Sequence, residues 1–166
     1  PRSGREAHTA TQADGADTDG CGFLAVQAHP DPDSLIADYL RRDGAGEFTR
    51  TSAWRDTAMA CPAHAPGWDG FTIISAFTLE ALDRSDDQAR YRVSYQRFGY
   101  LEQDSTGFHV RRDAGEERTT ATLRHTASGW RIEDWDNEPH VLEQAAAGMP
   151  KVGARDRKRL EGFIPW

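Results

Sequence analysis

The stretch SGWRIEDWDNEPHV, residues 128 to 141, decides the fold because it sets two tryptophans in a run of alternating apolar and polar residues. Such alternation is typical of a half-buried β-strand. The run ERTTATLRH lies just before it, and the linking residues TASG suit a hairpin turn. The sequence therefore predicts a closing β-hairpin, with Trp130, Ile132 and Asp134 on one face of its last strand and Trp135 on the other.

Two further strands are predicted upstream of this hairpin. FTIISAFTLEAL, residues 71 to 82, is rich in aromatic and β-branched residues and holds no helix breaker. ARYRVSYQRFGYLEQ, residues 89 to 103, alternates Tyr91, Val93 and Tyr95 with polar neighbours, and Gly99 predicts a bulge or bend within it. The segment GFHVRR gives a weaker strand signal.

The helical signals lie mainly before these strands. DPDSLIADYLRRDG, residues 31 to 44, predicts an amphipathic helix capped by Asp33 or Ser34 and stopped by Gly44. FTRTSAWRDTAMA predicts a second helix, CPAHAPGWDG a loop, and a short helical run is expected from Val141 to Ala147 after a turn at Pro139.

Helices before an antiparallel sheet define the α+β class. Residues 1–20 contain no Val, Ile, Leu, Met or aromatic residue, which predicts a disordered leader. We expect one α+β domain over residues 21–150. Residues 151–166 form a tail with a basic cluster from Arg155 to Arg159, and we expect its apolar end, Phe163, Ile164 and Trp166, to dock on the domain.

The overall composition limits the function classes. The net charge is -7 with a pI near 5.3, which argues against nucleic-acid partners and anionic lipid surfaces, and no stretch predicts a transmembrane segment. The chain begins at Pro1, and a removed signal peptide would explain this, so we expect an extracytoplasmic, periplasmic or secreted bacterial protein. Cys21 and Cys61 form either one disulfide or two unreactive thiols.

Three stretches together resemble a known family: LIADYLRRDGAGEF, ARYRVSYQRFGYLE and TTATLRHTASGWRIEDWDNEPHV. They resemble the nuclear transport factor 2-like superfamily, the cystatin-like cone shared with ketosteroid isomerases and polyketide cyclases, over residues 33–142. The resemblance implies N-terminal helices packed on a strongly bent antiparallel sheet of about four to six strands. It also implies that a carboxylate or His would act as general base inside the cone, with Tyr or a protonated Asp as oxyanion donor.

Several residues are candidates for such a cone site. The catalytic candidates are Tyr39, Tyr95, His125 and Asp134. Asp38 and Tyr100 are further residues that could lie in the cone. The candidates for ligand binding are Trp54, Trp68, Phe71 and Tyr95. Core packing is the competing interpretation of Tyr39 and Tyr95, and a surface strand position that of His125 and Asp134.

A second motif, LAVQAHPDPD at residues 24 to 33, is similar to the AHPDD of zinc-dependent deacetylases. Pro32 stands at the position of the catalytic Asp in that motif. His29, Asp31 and Asp33 are therefore the candidate metal ligands, and a loop leading into a helix cap is the competing interpretation. We predict no cofactor.

Three hypotheses on function follow. The first is a non-catalytic domain that binds a small apolar ligand or a protein partner, with a homodimer through the sheet face as one form. The second is a cofactor-free isomerase, cyclase or dehydratase that uses an acid-base pair in the cone. The third is metal-dependent hydrolysis at His29, Asp31 and Asp33.

Overall fold

The computed structural model describes residues 29–49, 70–127, 129–133 and 138–166. Three α-helices and one short 3-10 helix accompany five strands in this part of the chain. In chain order the elements are α1 (Pro32–Gly44), a 3-10 turn (Glu47–Thr49), β1 (Phe71–Arg84), β2 (Gln88–Asp104), β3 (Gly107–Thr126), β4 (Gly129–Ile132), β5 (His140–Leu142), α2 (Glu143–Ala147) and α3 (Ala154–Leu160). The architecture is α+β, as predicted.

The strands form one curled, mixed sheet in the order β4-β3-β2-β1-β5. β1 to β4 pair antiparallel, which includes the predicted hairpin of β3 and β4. β5 pairs parallel with Thr72–Ile74 of β1, so the prediction of a purely antiparallel sheet is wrong. The helical run expected from Val141 begins instead at Glu143, because the backbone from His140 to Leu142 bonds to β1.

The sheet bends at Gly99, where the predicted bulge is confirmed. Register shifts occur here in β2, between Arg97 and Gly99, and on both sides of Ile74 in β1. A Cβ added to Gly99 would lie 2.2 Å from the carbonyl oxygen of Arg111 in β3. Glycine is therefore required for this close approach of the two strands.

Helix α1 is capped two to three residues earlier than predicted. Asp31, not Asp33 or Ser34, is the N-cap, and its carboxylate accepts a hydrogen bond from the Ser34 N–H at 2.8 Å. Pro32 occupies the first turn, where a missing N–H costs nothing. The predicted apolar face of α1 is confirmed as buried: Leu35, Ile36, Tyr39 and Leu40.

Two hydrophobic clusters hold the sheet between the helices. The first joins the apolar face of α1 to β2, β3 and β4, and includes Val93, Leu123, Trp130 and Ile132. The second joins β1 and β2 to α2 and the segment before α3. Phe71 to Ile74 are all buried, so this end of β1 is covered on both faces.

Near the C-terminus the Trp166 ring lies 5.0 Å from the Phe98 ring, whereas Phe163 is 75% exposed. No helix in the described ranges is long and apolar enough to cross a bilayer. Several predictions fall outside the described residues: the leader over 1–20, Cys21, Cys61, most of the second helix with Trp54, the loop with Trp68, and the positions of Asp134 and Trp135.

Trp130 tests the packing of α1 on the sheet, because its side chain is 5% exposed at the centre of the first cluster. We predict that Trp130→Ala lowers the free energy of unfolding by about 3–5 kcal/mol through lost burial and a residual cavity. Urea denaturation measures this, with Phe163→Ala, at a position that is 75% exposed, as the matched control. A loss below about 1 kcal/mol would contradict the packing of Trp130.

Candidate functional site

A buried polar cluster lies where the end of α1 meets β5. The backbone N–H of His140 donates to both carboxylate oxygens of Asp43, at 3.1 and 3.2 Å. The His140 ring stacks on Tyr95 of β2, with 3.8 Å between the ring centroids and 8° between the planes. Asp43, Tyr95 and His140 are each 1% exposed. The contact joins α1 to β5, which lie far apart in the sequence, and it fixes the helix against the edge of the sheet.

Two glutamates bring further negative charge to the same histidine. Nε2 of His140 lies 3.5 Å from Oε1 of Glu117, and Nδ1 lies 3.9 Å from Oδ2 of Asp43. Glu117 is the cross-strand partner of Tyr95 on β3 and is only half-buried. Glu138 hydrogen-bonds the Thr72 hydroxyl close by. We refer to His140, Asp43, Tyr95 and Glu117 as the His140 cluster.

Burial sets the protonation states in the His140 cluster. It raises the pKa of Asp43 well above its usual value, although the hydrogen bond from the His140 N–H acts against this. Burial lowers the pKa of His140, and the charges of Glu117 and Glu138 oppose that shift. A carboxyl group with a raised pKa beside an imidazole with a lowered pKa is an arrangement that acid-base chemistry uses. Their burial, however, leaves no direct path for a substrate to either group.

Of the predicted catalytic residues that the structure describes, only Tyr95 lies in the His140 cluster. Tyr39 instead stacks on Phe48 at 4.7 Å in the core, and His125 is exposed with its ring 5.1 Å from Trp130. Among the added cone positions, Asp38 pairs with Arg41 on the helix surface. Tyr100 lies beneath the guanidinium groups of Arg97 and Arg111.

Sequence reasoning missed His140 and Asp43. They lie 97 residues apart, so no local spacing connects them. The one available signal is Asp43 itself, which lies beside the glycine that ends the amphipathic helix. An Asp is expected to be exposed to solvent, so this signal does not indicate a buried site.

The candidate metal ligands have other partners. Asp31 caps α1, and Asp33 accepts a hydrogen bond from the Tyr91 hydroxyl and lies 3.4 Å from Arg84. The His29 backbone bridges to Trp130. Across the residues that the structure describes, no group of three His, Cys, Asp or Glu side chains is placed to hold a metal ion.

Among the candidates for ligand binding, Phe71 is buried in the second hydrophobic cluster and Tyr95 in the first. Neither ring therefore presents a face to the solvent.

The second half of β1, Ser75–Arg84, is largely exposed and carries apolar side chains. Ser75–Arg84 pairs with β2 along one edge, while β5 pairs only with Thr72–Ile74 on the other. No strand among the described residues pairs with this free edge, which we call the β1 edge. Leu79 at its centre is 37% exposed, and Phe77 is half-buried.

The sheet has a second open edge, along β3, and the two differ in charge. β4 pairs with β3 only over Leu123–Thr126. In β3, the eight residues 111–118 include six charged side chains: Arg111, Arg112, Asp113, Glu116, Glu117 and Arg118. Ser75–Leu79 of the β1 edge contains none. Charged side chains protect an edge from pairing with another chain, so the uncharged stretch Ser75–Leu79 of the β1 edge is better suited to such pairing than residues 111–118 of β3.

No family model matches the chain, and no curated protein or solved structure shows significant similarity to it.

The buried histidine predicts a specific acid response. Since the pKa of His140 is lower in the folded chain than its usual 6.5, the unfolded chain binds an extra proton below that pH. Folding stability therefore falls on acidification from about pH 6.5, by up to about 1.4 kcal/mol per pH unit. The raised pKa of Asp43 has the opposite effect, because the contribution of this residue to folding stability is lost as the pH rises above 3.8.

We predict that His140→Gln reduces the loss of stability between pH 6.5 and 5, measured by urea denaturation at each pH. His125→Gln, at an exposed position, is the matched control and should follow the unmodified chain. An unchanged pH slope in His140→Gln would contradict the assignment of a buried, neutral His140.

Proposed function

We propose that this chain is a non-catalytic protein-interaction domain that binds an extended segment of a partner along the β1 edge. Strand addition uses main-chain hydrogen bonds for affinity and alternate side chains for specificity. The single observation that carries the proposal is an edge strand, Ser75–Arg84, whose first five residues carry no charge and whose outer side pairs with no strand among the described residues, whereas residues 111–118 of the β3 edge are mostly charged.

The side chains of the β1 edge support this proposal. Phe77, Leu79 and Ala81 pair with Tyr95, Val93 and Tyr91 of β2, and so share the face that packs toward α1. An added strand with apolar residues at alternate positions would extend this face and cover Leu79. The opposite face of β1 carries Thr78 and Glu80, whose partners on β2 are Ser94 and Arg92. A polar face on the added strand would match it.

A synthetic ten-residue peptide of alternating Thr and Val tests the proposal. We expect NMR shift changes confined to residues 75–84 and absent from residues 107–122. Leu79→Lys should weaken binding at least tenfold, about 1.4 kcal/mol, because it sets a charge on the face that the added strand covers. Thr120→Lys adds the same charge to an exposed position of β3 and should have no effect.

Methylation of alternate peptide nitrogens removes the donors that strand pairing needs and provides the control on the ligand side. The methylated peptide should not bind. Equal binding of both peptides, or shift changes centred on β3, would contradict strand addition at the β1 edge.

A second function, the cofactor-free isomerase, cyclase or dehydratase, is supported by the His140 cluster. A buried carboxyl group with a raised pKa beside a neutral histidine suits acid-base chemistry. We place it second because both groups are 1% exposed, so that a substrate would reach them only after α1 and β5 separate.

Diethyl pyrocarbonate distinguishes the two functions, because it modifies accessible neutral imidazoles. We predict rapid modification of His109 and His125, which lie at the surface, and protection of His140 in the native chain. Peptide mass mapping after a short exposure measures the three rates. Modification of His140 at the rate of His109 would show an open site and favour the enzyme.

We also infer that the curled sheet has the nuclear transport factor 2-like architecture. Support comes from α1, which packs on the curled sheet through the first hydrophobic cluster, and from the closing hairpin, whose last strand begins with Gly129 and Trp130. A crystal structure that fails to superpose on the cone of a ketosteroid isomerase would contradict this inference.

A further inference from the structure

We propose that the partner of the β1 edge is a second copy of this chain, joined by antiparallel pairing of β1 with β1 around a two-fold axis at Leu79. The inference rests on the proposed function, because it names the occupant of the same edge. It differs from the sequence-based expectation of a dimer through the sheet face, since the two sheets would join edge to edge.

Symmetry limits the registers that two copies can adopt. Directly opposite residues in an antiparallel pair lie on the same face of the sheet. A two-fold axis perpendicular to the sheet therefore passes midway between a residue and its own copy. Register shifts before Ala76 and after Ala81 leave residues 76–81 as the regular part of the edge. The axis must lie near the middle of this stretch.

Charge and burial choose among the remaining registers. An axis at Glu80 would set two carboxylates opposite each other, which destabilises a strand pair. An axis at Leu79 sets Phe77 against Ala81 and Thr78 against Glu80, so that no like charges face each other. It also covers the two Leu79 side chains with one another, and Leu79 is the large apolar residue of β1 most exposed in the single chain, at 37%.

The self-complementary pattern is particular to this edge. Self-pairing of β3 would bring together strands whose residues 111–118 are mostly charged. Each copy also carries a net charge of -7, so long-range repulsion opposes association at low salt. We therefore expect the dimer to strengthen as the salt concentration rises and screens this repulsion.

Disulfide trapping tests the register in a Cys21→Ser, Cys61→Ser background. In the proposed dimer the two copies of residue 79 lie about 4.5–5.5 Å apart at Cα, within disulfide range. Leu79→Cys should cross-link in more than about half of the chains under mild oxidation, against less than about a tenth for Leu82→Cys. Leu82 lies opposite Ala76, about 20 Å from its own copy. Cross-linking at Thr78→Cys or Leu82→Cys in place of Leu79→Cys would overturn the register.

Sedimentation equilibrium of the unmodified chain keeps the test independent of the cysteine background. We expect a reversible dimer whose Kd rises at least about tenfold in Leu79→Lys and is unchanged in Thr120→Lys. A monomer that binds the Thr-Val peptide at residues 75–84 overturns the homodimer and leaves the proposed function standing. A monomer that binds no such peptide overturns both, and a dimer insensitive to Leu79→Lys overturns the use of this edge.

Discussion

The close approach of β2 to β3 at Gly99 is the constraint on which the rest of the structure depends. Only glycine fits there, because a Cβ would lie 2.2 Å from the Arg111 carbonyl oxygen. The register shifts that accompany it in β1 and β2 divide the sheet into two parts, one packed on α1 and the other on α2 and the segment that leads to α3. β5 pairs with β1 only as far as Ile74, where the shifts in β1 begin. The bend and the open β1 edge are thus parts of one arrangement.

The His140 cluster joins the two parts of the sheet to α1. A buried carboxyl group costs free energy, and Asp43 offsets part of this cost by accepting the His140 N–H that β5 would otherwise leave buried without an acceptor. Stacking on Tyr95 fixes the imidazole plane. An arrangement that is chemically suited to proton transfer therefore also explains how a three-residue strand is held in place. The burial of His140 and Asp43 favours the structural role. Glu117 is only half-buried, so the His140 cluster lies nearest to the solvent on the side of this residue.

Much of the fold could be predicted from local signals, and the site could not. Alternation in β2, the apolar spacing in α1, the hairpin of β3 and β4 and the bulge at Gly99 each depend on residues within one segment, and each is confirmed. The parallel strand at His140–Leu142 could not be predicted, because its three residues form a strand only through contacts with β1 and Asp43. The pairing of His140 with Asp43 spans 97 residues and leaves no periodic trace. Likewise, the sequence predicted the strand that contains Leu79 but not its position at an edge, since strand order depends on long-range pairing.

In the proposed arrangement, the β1 edge is open in the single chain and closes on a partner strand. Amide hydrogen exchange, measured by mass spectrometry at low and high protein concentration, tests it most directly. In dilute solution, residues 75–84 should exchange faster than residues 89–95, which are paired on both sides, and they should gain protection as the concentration rises. Residues 107–122 should show no such gain. Protection of residues 75–84 equal to that of β2 in dilute solution, and independent of concentration, would contradict the claim.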